Sequence, residues 1–250
     1  MNFINKTIVI AAIVKNNSKT IKANINRFSK LERYFNKLAF VVFENGSTDN
    51  TLRILELLAQ EKSNFHLLSE NIDLQKEQRI ATARHEDGRP CRLEIIAYAR
   101  NSVHDFVKRN LHTYDAVLLF DGDIAISSVK HAYESVKAVL DNKYDCVSAN
   151  GITKWGKYRD AFAFRSVKHP YGPEFLGTYW WKNTRKRIQK YLIRSRYLPV
   201  LSAFGGAAVY KMDAFLSATY RAIPDDTYIS YHTSLDFSYA NPDEIQHASE

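Results

Sequence analysis

"YDAVLLFDGDIAIS", Tyr114–Ser127, is the stretch on which the reading of this chain turns. An apolar run from Ala116 to Phe120 stops abruptly at Asp121-Gly122-Asp123. A buried strand gains nothing from ending in adjacent negative charge. If the segment stays extended through the motif, carboxylates at i and i+2 point the same way. They then repel unless a cation sits between them or one takes up a proton. The pair is therefore either a solvated turn or a place for a metal.

Working outward, the first half of the chain alternates. Thr7–Val14 reads as a buried strand, and Ser18 is placed to cap a helix running to about Phe35. "LAFVVF", Leu38–Phe43, is a second strand, followed by the turn "ENGSTDN" and a helix from Asn50 to Ala59. A short third strand is expected at Phe65–Leu68. Ser69–Arg92 is polar without a clean period and reads as a long loop. Then follow a helix over Leu93–Arg109, the strand Ala116–Phe120, a helix over Ser128–Leu140 and a strand at Cys146–Ala149. Strands alternating with helices of ten or more residues predict an α/β fold, with a mostly parallel, Rossmann-like sheet flanked by helices. After Asn150 the rhythm breaks into "YGPEFLGTYWW" and the basic tract "KNTRKRIQKYLIRSRYL". The expectation is one domain over 1–250.

Composition bounds the partners. The chain has 250 residues, with 35 Lys and Arg against 27 Asp and Glu, a net charge of +8 that favours anionic ligands. Two cysteines, Cys91 and Cys146, give no disulfide framework and suit a reducing compartment. "TIVIAAIV" is too short for a signal peptide or a membrane span, so a cytoplasmic location is expected.

Ligands of open parallel sheets bind beyond the carboxyl ends of the strands. Both "ENGSTDN" and "DGD" follow strands, and that shared position is informative. Taken singly each has a bland alternative. The first is a turn with a helix cap at Ser47, Thr48 or Asp49, and the second is a solvated turn.

The order of a strand, "ENGSTDNT", "RLEIIAYARN" (Arg92–Asn101) and "LLFDGD" resembles the nucleotide-sugar half of GT-A glycosyltransferases. Within that fold it is similar to family 2 enzymes and, more closely, to the fungal capsule-type mannosyltransferases. "YRDAFAFR" (Tyr158–Arg165) and "SAFGGAAVYKMDAF" (Ser202–Phe215) extend the resemblance. It implies transfer of a sugar from a UDP- or GDP-linked donor to a glycan hydroxyl, with Mn²⁺ or Mg²⁺. Residues 1–125 would form the nucleotide-sugar half and 126–250 the acceptor half.

Carried over to these positions, the resemblance implies donor contacts from Ala11, Glu44, Asn45, Asp49, Arg100, Asp121, Gly122, Asp160, Gly205 and Gly206. Asp121 and Asp123 match the acidic metal motif, and His232 stands where a late histidine would complete the shell. Hard oxygen donors suit such a cation, which keeps water and substrate phosphates in its shell. Gly122, lacking a Cβ, is expected to let the diphosphate approach the backbone. An inverting transfer needs a base for the acceptor hydroxyl, for which Asp225, Asp226 and Asp236 are the candidates. His232 has a bland alternative as a hydrogen-bonded structural residue, Asp225-Asp226 as part of a turn, and Asp160 as a partner of Arg159 or Arg165. The chain departs from the capsule-type pattern in having Asp-Gly-Asp for Asn-Asp and "SAFGG" for a Trp-containing segment, so donor identity does not carry over.

The basic tract Lys182–Leu198 reads as an amphipathic helix, solvated or resting against a donor phosphate or a membrane surface. "YWW", Tyr179–Trp181, is either core or a stacking platform for acceptor sugars. Two other functions compete. A haloacid-dehalogenase-type phosphatase also ends a strand in Asp-x-Asp, but early in its sheet and with a hydroxyl where Ala125 stands. A nucleic-acid-binding module fits the charge but leaves the paired aspartates unexplained.

Overall fold

The three apolar runs pair side by side in the computed structural model, which describes residues 1–72, 92–194 and 197–222 together with Asp226, Ser230 and Ser234. Strand β1 (Ile4–Val14) lies between β2 (Phe35–Glu44) and β4 (Ala116–Asp121), parallel to both. β3 (Phe65–Ser69) adds in parallel to β2. With β5 (Cys146–Ser148) and β6 (Ala207–Lys211), the sheet runs β3-β2-β1-β4-β6-β5. Parallel strands covered on both faces show as unbroken apolar runs rather than alternation. Ile8–Ala12, Phe40–Val42, Ala116, Val117 and Phe120 accordingly have at most 1% of their surface exposed.

Helices α1 (Ile21–Ser29), α2 (Thr51–Glu61), α3 (Arg92–Asn110) and α4 (Val129–Leu140) connect or follow these strands. Each buries one stripe. In α1 the stripe is Ile21, Ile25 and Phe28, with the Phe28 ring 4.9 Å from that of Phe120. In α3 it is Ala99, Val103 and Val107, at the four-residue spacing that places side chains above one another. In α4 it is Tyr133, Val136 and Val139.

Two expectations about helix starts are corrected. The first helix begins at Ile21 and ends at Ser29, where a 3₁₀ turn (Lys30–Arg33) feeds into β2. Ser18 does not cap it, because it lies two residues before the capping position, and its backbone N–H donates to Asp49. Thr20, at the capping position, makes no side-chain cap bond and sends its hydroxyl to the carbonyl of Gly122, 2.6 Å away. The second helix begins at Thr51 behind Asn50, so none of Ser47, Thr48 or Asp49 is the capping residue. Ser128 does cap α4, accepting from the His131 N–H at 3.2 Å.

The chain divides into two compact units. The first comprises Met1–Val147 and Val209–Pro224 and holds most of the sheet together with α7 (Met212–Leu216). The second comprises Ser148–Ala208 and Asp225–Glu250, and its described residues hold little regular structure. It contains α5 (Pro173–Tyr179), a π-helical turn (Trp180–Thr184) and α6 (Arg185–Arg194). Its core gathers Tyr158, Ala161, Phe164, Leu176, Trp180 and Ile188. Among the described residues, no helix is long and apolar enough to cross a membrane.

Candidate active site

The loop leaving β1, Lys15–Thr20, ties the first unit's strand ends together. Asn16 adopts a left-handed conformation (φ 55°), donates its N–H to Ser47 Oγ (2.8 Å) and accepts from the Thr48 N–H (2.8 Å). The Asn17 N–H reaches Thr51 Oγ1 at 2.7 Å. On the other side, the Thr20 hydroxyl donates to the Gly122 carbonyl, and just beyond the loop Asn24 of α1 accepts from the Ile126 N–H and donates to the carbonyl of Ile124. One polar loop thus fixes both the turn after β2 and the turn after β4. Sequence reasoning missed it, although two asparagines directly behind a buried strand were the available signal.

Within "ENGSTDN", Glu44 is fully buried. Its Oε1 accepts from the Ser47 N–H (2.5 Å) and its Oε2 from Ser69 Oγ (2.9 Å). With its side chain fully buried, it supports the loop. Asn45 accepts from the Ile72 N–H at 3.3 Å and joins this turn to the end of β3. Asp49 is exposed and accepts from the hydroxyl and N–H of Thr51 and from the Ser18 N–H. Those bonds, Thr51's hydroxyl foremost, hold its carboxyl well below the ordinary carboxylate range.

Asp121 is the last residue of β4, and a turn begins at Gly122, with the Ile124 N–H returning to the Asp121 carbonyl. The backbone therefore leaves the extended conformation inside the motif, and side-chain alternation does not govern the pair. Asp121 is half-buried and Asp123 exposed. A Cβ on Gly122 would lie 2.5 Å from Val14 Cγ1 and 2.6 Å from Asn17 Oδ1. Glycine is thus required for the β1 loop to pack here, whatever else approaches.

Arg100 of α3 points at this turn, its Nη2 3.3 Å from Asp121 Oδ1. Its guanidinium stands over the Tyr220 ring, 5.3 Å from the centroid. The next residue, Asn101, donates to the carbonyl of Tyr220 (2.9 Å) and accepts from its N–H (2.8 Å). This pairing fixes Tyr220 and, through it, Arg100. Burial raises the phenol pKa of both Tyr210 and Tyr220, keeping them neutral at physiological pH. No local pattern in the sequence linked Asn101 to a residue so far along the chain.

In the second unit, Asp160 accepts from the N–H groups of Phe204 (2.6 Å) and Gly205 (2.9 Å). Its Oδ2 holds the glycine turn rather than either neighbouring arginine. Gly205 has φ +61°, and a Cβ there would fall 1.8 Å from the Ala149 carbonyl oxygen, so no other residue fits. Gly206, also buried, follows at φ 91°. Ala11 is wholly buried mid-strand between Val41 and Leu119, three residues short of the end of β1. There it packs the sheet. Asp226 is exposed, while Asp225, His232 and Asp236 lie outside the described residues.

Trp180 of "YWW" is completely buried in the second unit's core, whereas Trp181 is exposed beneath the Arg185 guanidinium, 5.2 Å from it. Of that trio, Trp181 alone presents an exposed indole face.

Asp121 and Asp123 are a sparse set of hard oxygen donors. Among the described residues, no group of three or more metal-binding side chains gathers. That set fits Mg²⁺ or Mn²⁺ carried in with a diphosphate, since such ions keep water and phosphate in most of their shell. It does not fit a closed structural metal site.

The parallel sheet, with polar turns at the carboxyl ends of β1, β2 and β4, is that of α/β enzymes whose ligands bind at this edge. The family described as Cryptococcal mannosyltransferase 1 matches residues 7–238, and the chain belongs to it. That family is one of mannosyltransferases. Comparison with curated proteins finds no match.

Three solved structures illustrate what the fold is similar to. The mannosyltransferase PcManGT of Pyrobaculum calidifontis, in complex with GDP-Man and Mn²⁺, is 17% identical with TM-score 0.40, over 59% of this chain and 36% of that one. Residues 1–349 of TarS from S. aureus are 14% identical with TM-score 0.45, over 83% and 47%. Glucosyl-3-phosphoglycerate synthase from Mycobacterium tuberculosis, in complex with Mn²⁺, UDP-glucose and phosphoglyceric acid, is 17% identical with TM-score 0.45, over 83% and 57%. The chain thus matches between about a third and three fifths of those proteins' lengths. At this distance their ligands say nothing of this chain's donor or acceptor.

Proposed function

We propose that the chain moves a sugar from a nucleoside-diphosphate donor, UDP- or GDP-linked, to a hydroxyl of a glycan, with Mn²⁺ or Mg²⁺ bound at Asp121 and Asp123. The observation that carries this reading is the acidic turn at the end of β4, packed against the β1 loop and faced by Arg100. Three features support it. The turn stands where parallel sheets bind nucleotides, its two carboxylates suit a hard cation, and the guanidinium beside them suits phosphate oxygens.

A cation held there neutralises charge on the departing diphosphate. The protein's own groups do the rest. Arg100 is positioned by Tyr220 to exchange its partner, Asp121, for a phosphate oxygen as the donor enters. Asp49 and the backbone of the turn after β2, two strands across the sheet from β4, are assigned to the nucleoside portion. Glu44 acts as a positioning residue, setting that turn through Ser47 and Ser69. Within the second unit, Asp160 sets the Phe204–Gly205 turn. Proton removal from the acceptor is assigned to Asp226, Asp225 or Asp236, and His232 to the cation.

The test is a panel of UDP- and GDP-sugars with Mn²⁺, scored by release of nucleoside diphosphate in the presence of glycan acceptors. One donor class should stand out, with product mass increased by one sugar residue. Absence of transfer from every member would overturn the reading.

A further inference from the structure

The geometry points to a membrane-docking patch on the second unit, formed by the hairpin 152–158 and the exposed side of α6 and specific for anionic lipid surfaces. This inference is independent of the donor chemistry.

Charge is distributed very unevenly. Residues 148–208 contain twelve Lys and Arg against two Asp and Glu, a net of +10, whereas the remainder of that unit, Asp225–Glu250, holds six Asp and Glu and no Lys or Arg. The single aspartate in that stretch, Asp160, has an oxygen committed to two backbone N–H groups.

The same unit exposes apolar surface at a defined place. Ile152 and Tyr158 pair across a tight hairpin closed by the Thr153 and Lys157 backbones. At its tip Trp155 is 74% exposed, and Ile152 at its base is 65% exposed. Lys154 lies over the indole, 4.9 Å from the ring centroid. The tip is pinned to α6, for Gln189 Nε2 donates to the Gly156 carbonyl at 2.7 Å. Arg185 Nε holds the Tyr158 carbonyl at 2.9 Å. Lys186 and Lys190 flank Gln189 on that helix, and both are exposed, as are Lys154 and Lys157. An exposed indole at the tip of a pinned hairpin, with Lys154 over it and further exposed lysines on the same hairpin and on α6, is the arrangement that favours a bilayer surface. Tryptophan settles at the headgroup level, and lysines gain attraction from anionic lipid. A bare nucleic-acid site would instead need a groove with successive stacking faces, and this hairpin offers one protruding ring.

The experiment is co-sedimentation of the full chain, without donor, with vesicles of phosphatidylcholine alone or with about one part in three phosphatidylglycerol. Binding should require the anionic lipid and weaken as salt rises. Trp155→Ala should lower partitioning by about tenfold, from the apolar area no longer inserted. Lys154→Ala with Lys157→Ala should lower it by about thirtyfold, at roughly a fivefold loss per lysine. Lys30→Ala, in the first unit, serves as the matched control and should leave it unchanged. Because all these side chains are exposed, circular dichroism melting should be the same for each variant. Equal binding by the patch variants and the control would overturn the proposal. So would failure to bind anionic vesicles, including the case in which the same residues retain single-stranded RNA.

Discussion

The two units solve opposite problems. In the first, nearly every polar group at the strand ends is committed to another, with Glu44, Asn16, Asn17, Asp49 and Thr20 holding three turns in one arrangement. In the second, charge is spread over the surface and an exposed Trp155 and Phe162 are left uncovered. A pre-arranged rim suits a small, highly charged ligand, because fixed dipoles need no reorganisation when charge develops. A basic, aromatic surface suits something large and anionic. Specificity for the donor should therefore reside in the first unit, and contact with extended partners in the second.

The sharpest way to break that division is at the acidic turn. Asp123→Ala removes an exposed carboxylate, so the melting temperature should change little while transfer falls by about a hundredfold to a thousandfold. A rate reduced less than tenfold, measured by nucleoside diphosphate release, would detach the turn from the chemistry.

Next in size is a substitution that should harm only the second unit. Trp180 is completely buried in that unit's core, so Trp180→Ala should cost about 3–5 kcal/mol by lost burial and a cavity. Urea unfolding followed by intrinsic fluorescence measures it. A separate early transition, with the first unit's transition unmoved, would sharpen the comparison into two folding units.

Glu44→Ala leaves the Ser47 N–H and Ser69 hydroxyl without their acceptor, and should cost about 1–3 kcal/mol. If Glu44 acts through the turn, Glu44→Gln should recover most of the stability. A direct role toward the nucleotide would instead show as weakened donor binding with stability intact.

The smallest effect concerns pH. Hydrogen bonds depress the Asp49 pKa in the folded state below the ordinary 3.8. A depressed carboxyl contributes stability that is fully present above the unfolded value and lost as pH falls through the folded one. Melting temperatures of wild type and Asp49→Asn should therefore differ at neutral pH, with a gap that starts to narrow only below about pH 4 and closes as pH falls through the depressed folded value. A constant gap across that range would contradict the assignment.

What the sequence disclosed follows the same boundary. The strands of the first unit were legible because both faces are covered, leaving runs such as Ile8–Ala12 and Ala116–Phe120 that punctuate themselves. The acidic turn was legible for the same reason, as the point where an apolar run ends in charge. Its geometry was not, since the chain turns at Gly122 and the packing of Val14 and Asn17 that demands glycine is tertiary. In the second unit, the core draws on Tyr158, Phe164, Trp180 and Ile188 at no regular spacing. Periodicity therefore had nothing to report there, and Trp180 and Trp181 looked alike although one is buried and the other exposed.

Calorimetric titration of GDP and UDP into the chain, with and without Mn²⁺, tests the central assignment most directly, using Asp123→Ala beside wild type. One nucleotide should bind wild type at least about tenfold more tightly with Mn²⁺ present, a coupling of about 1.4 kcal/mol, and Asp123→Ala should lose that gain. Affinity indifferent to the ion, or a gain that survives the substitution, would contradict the account.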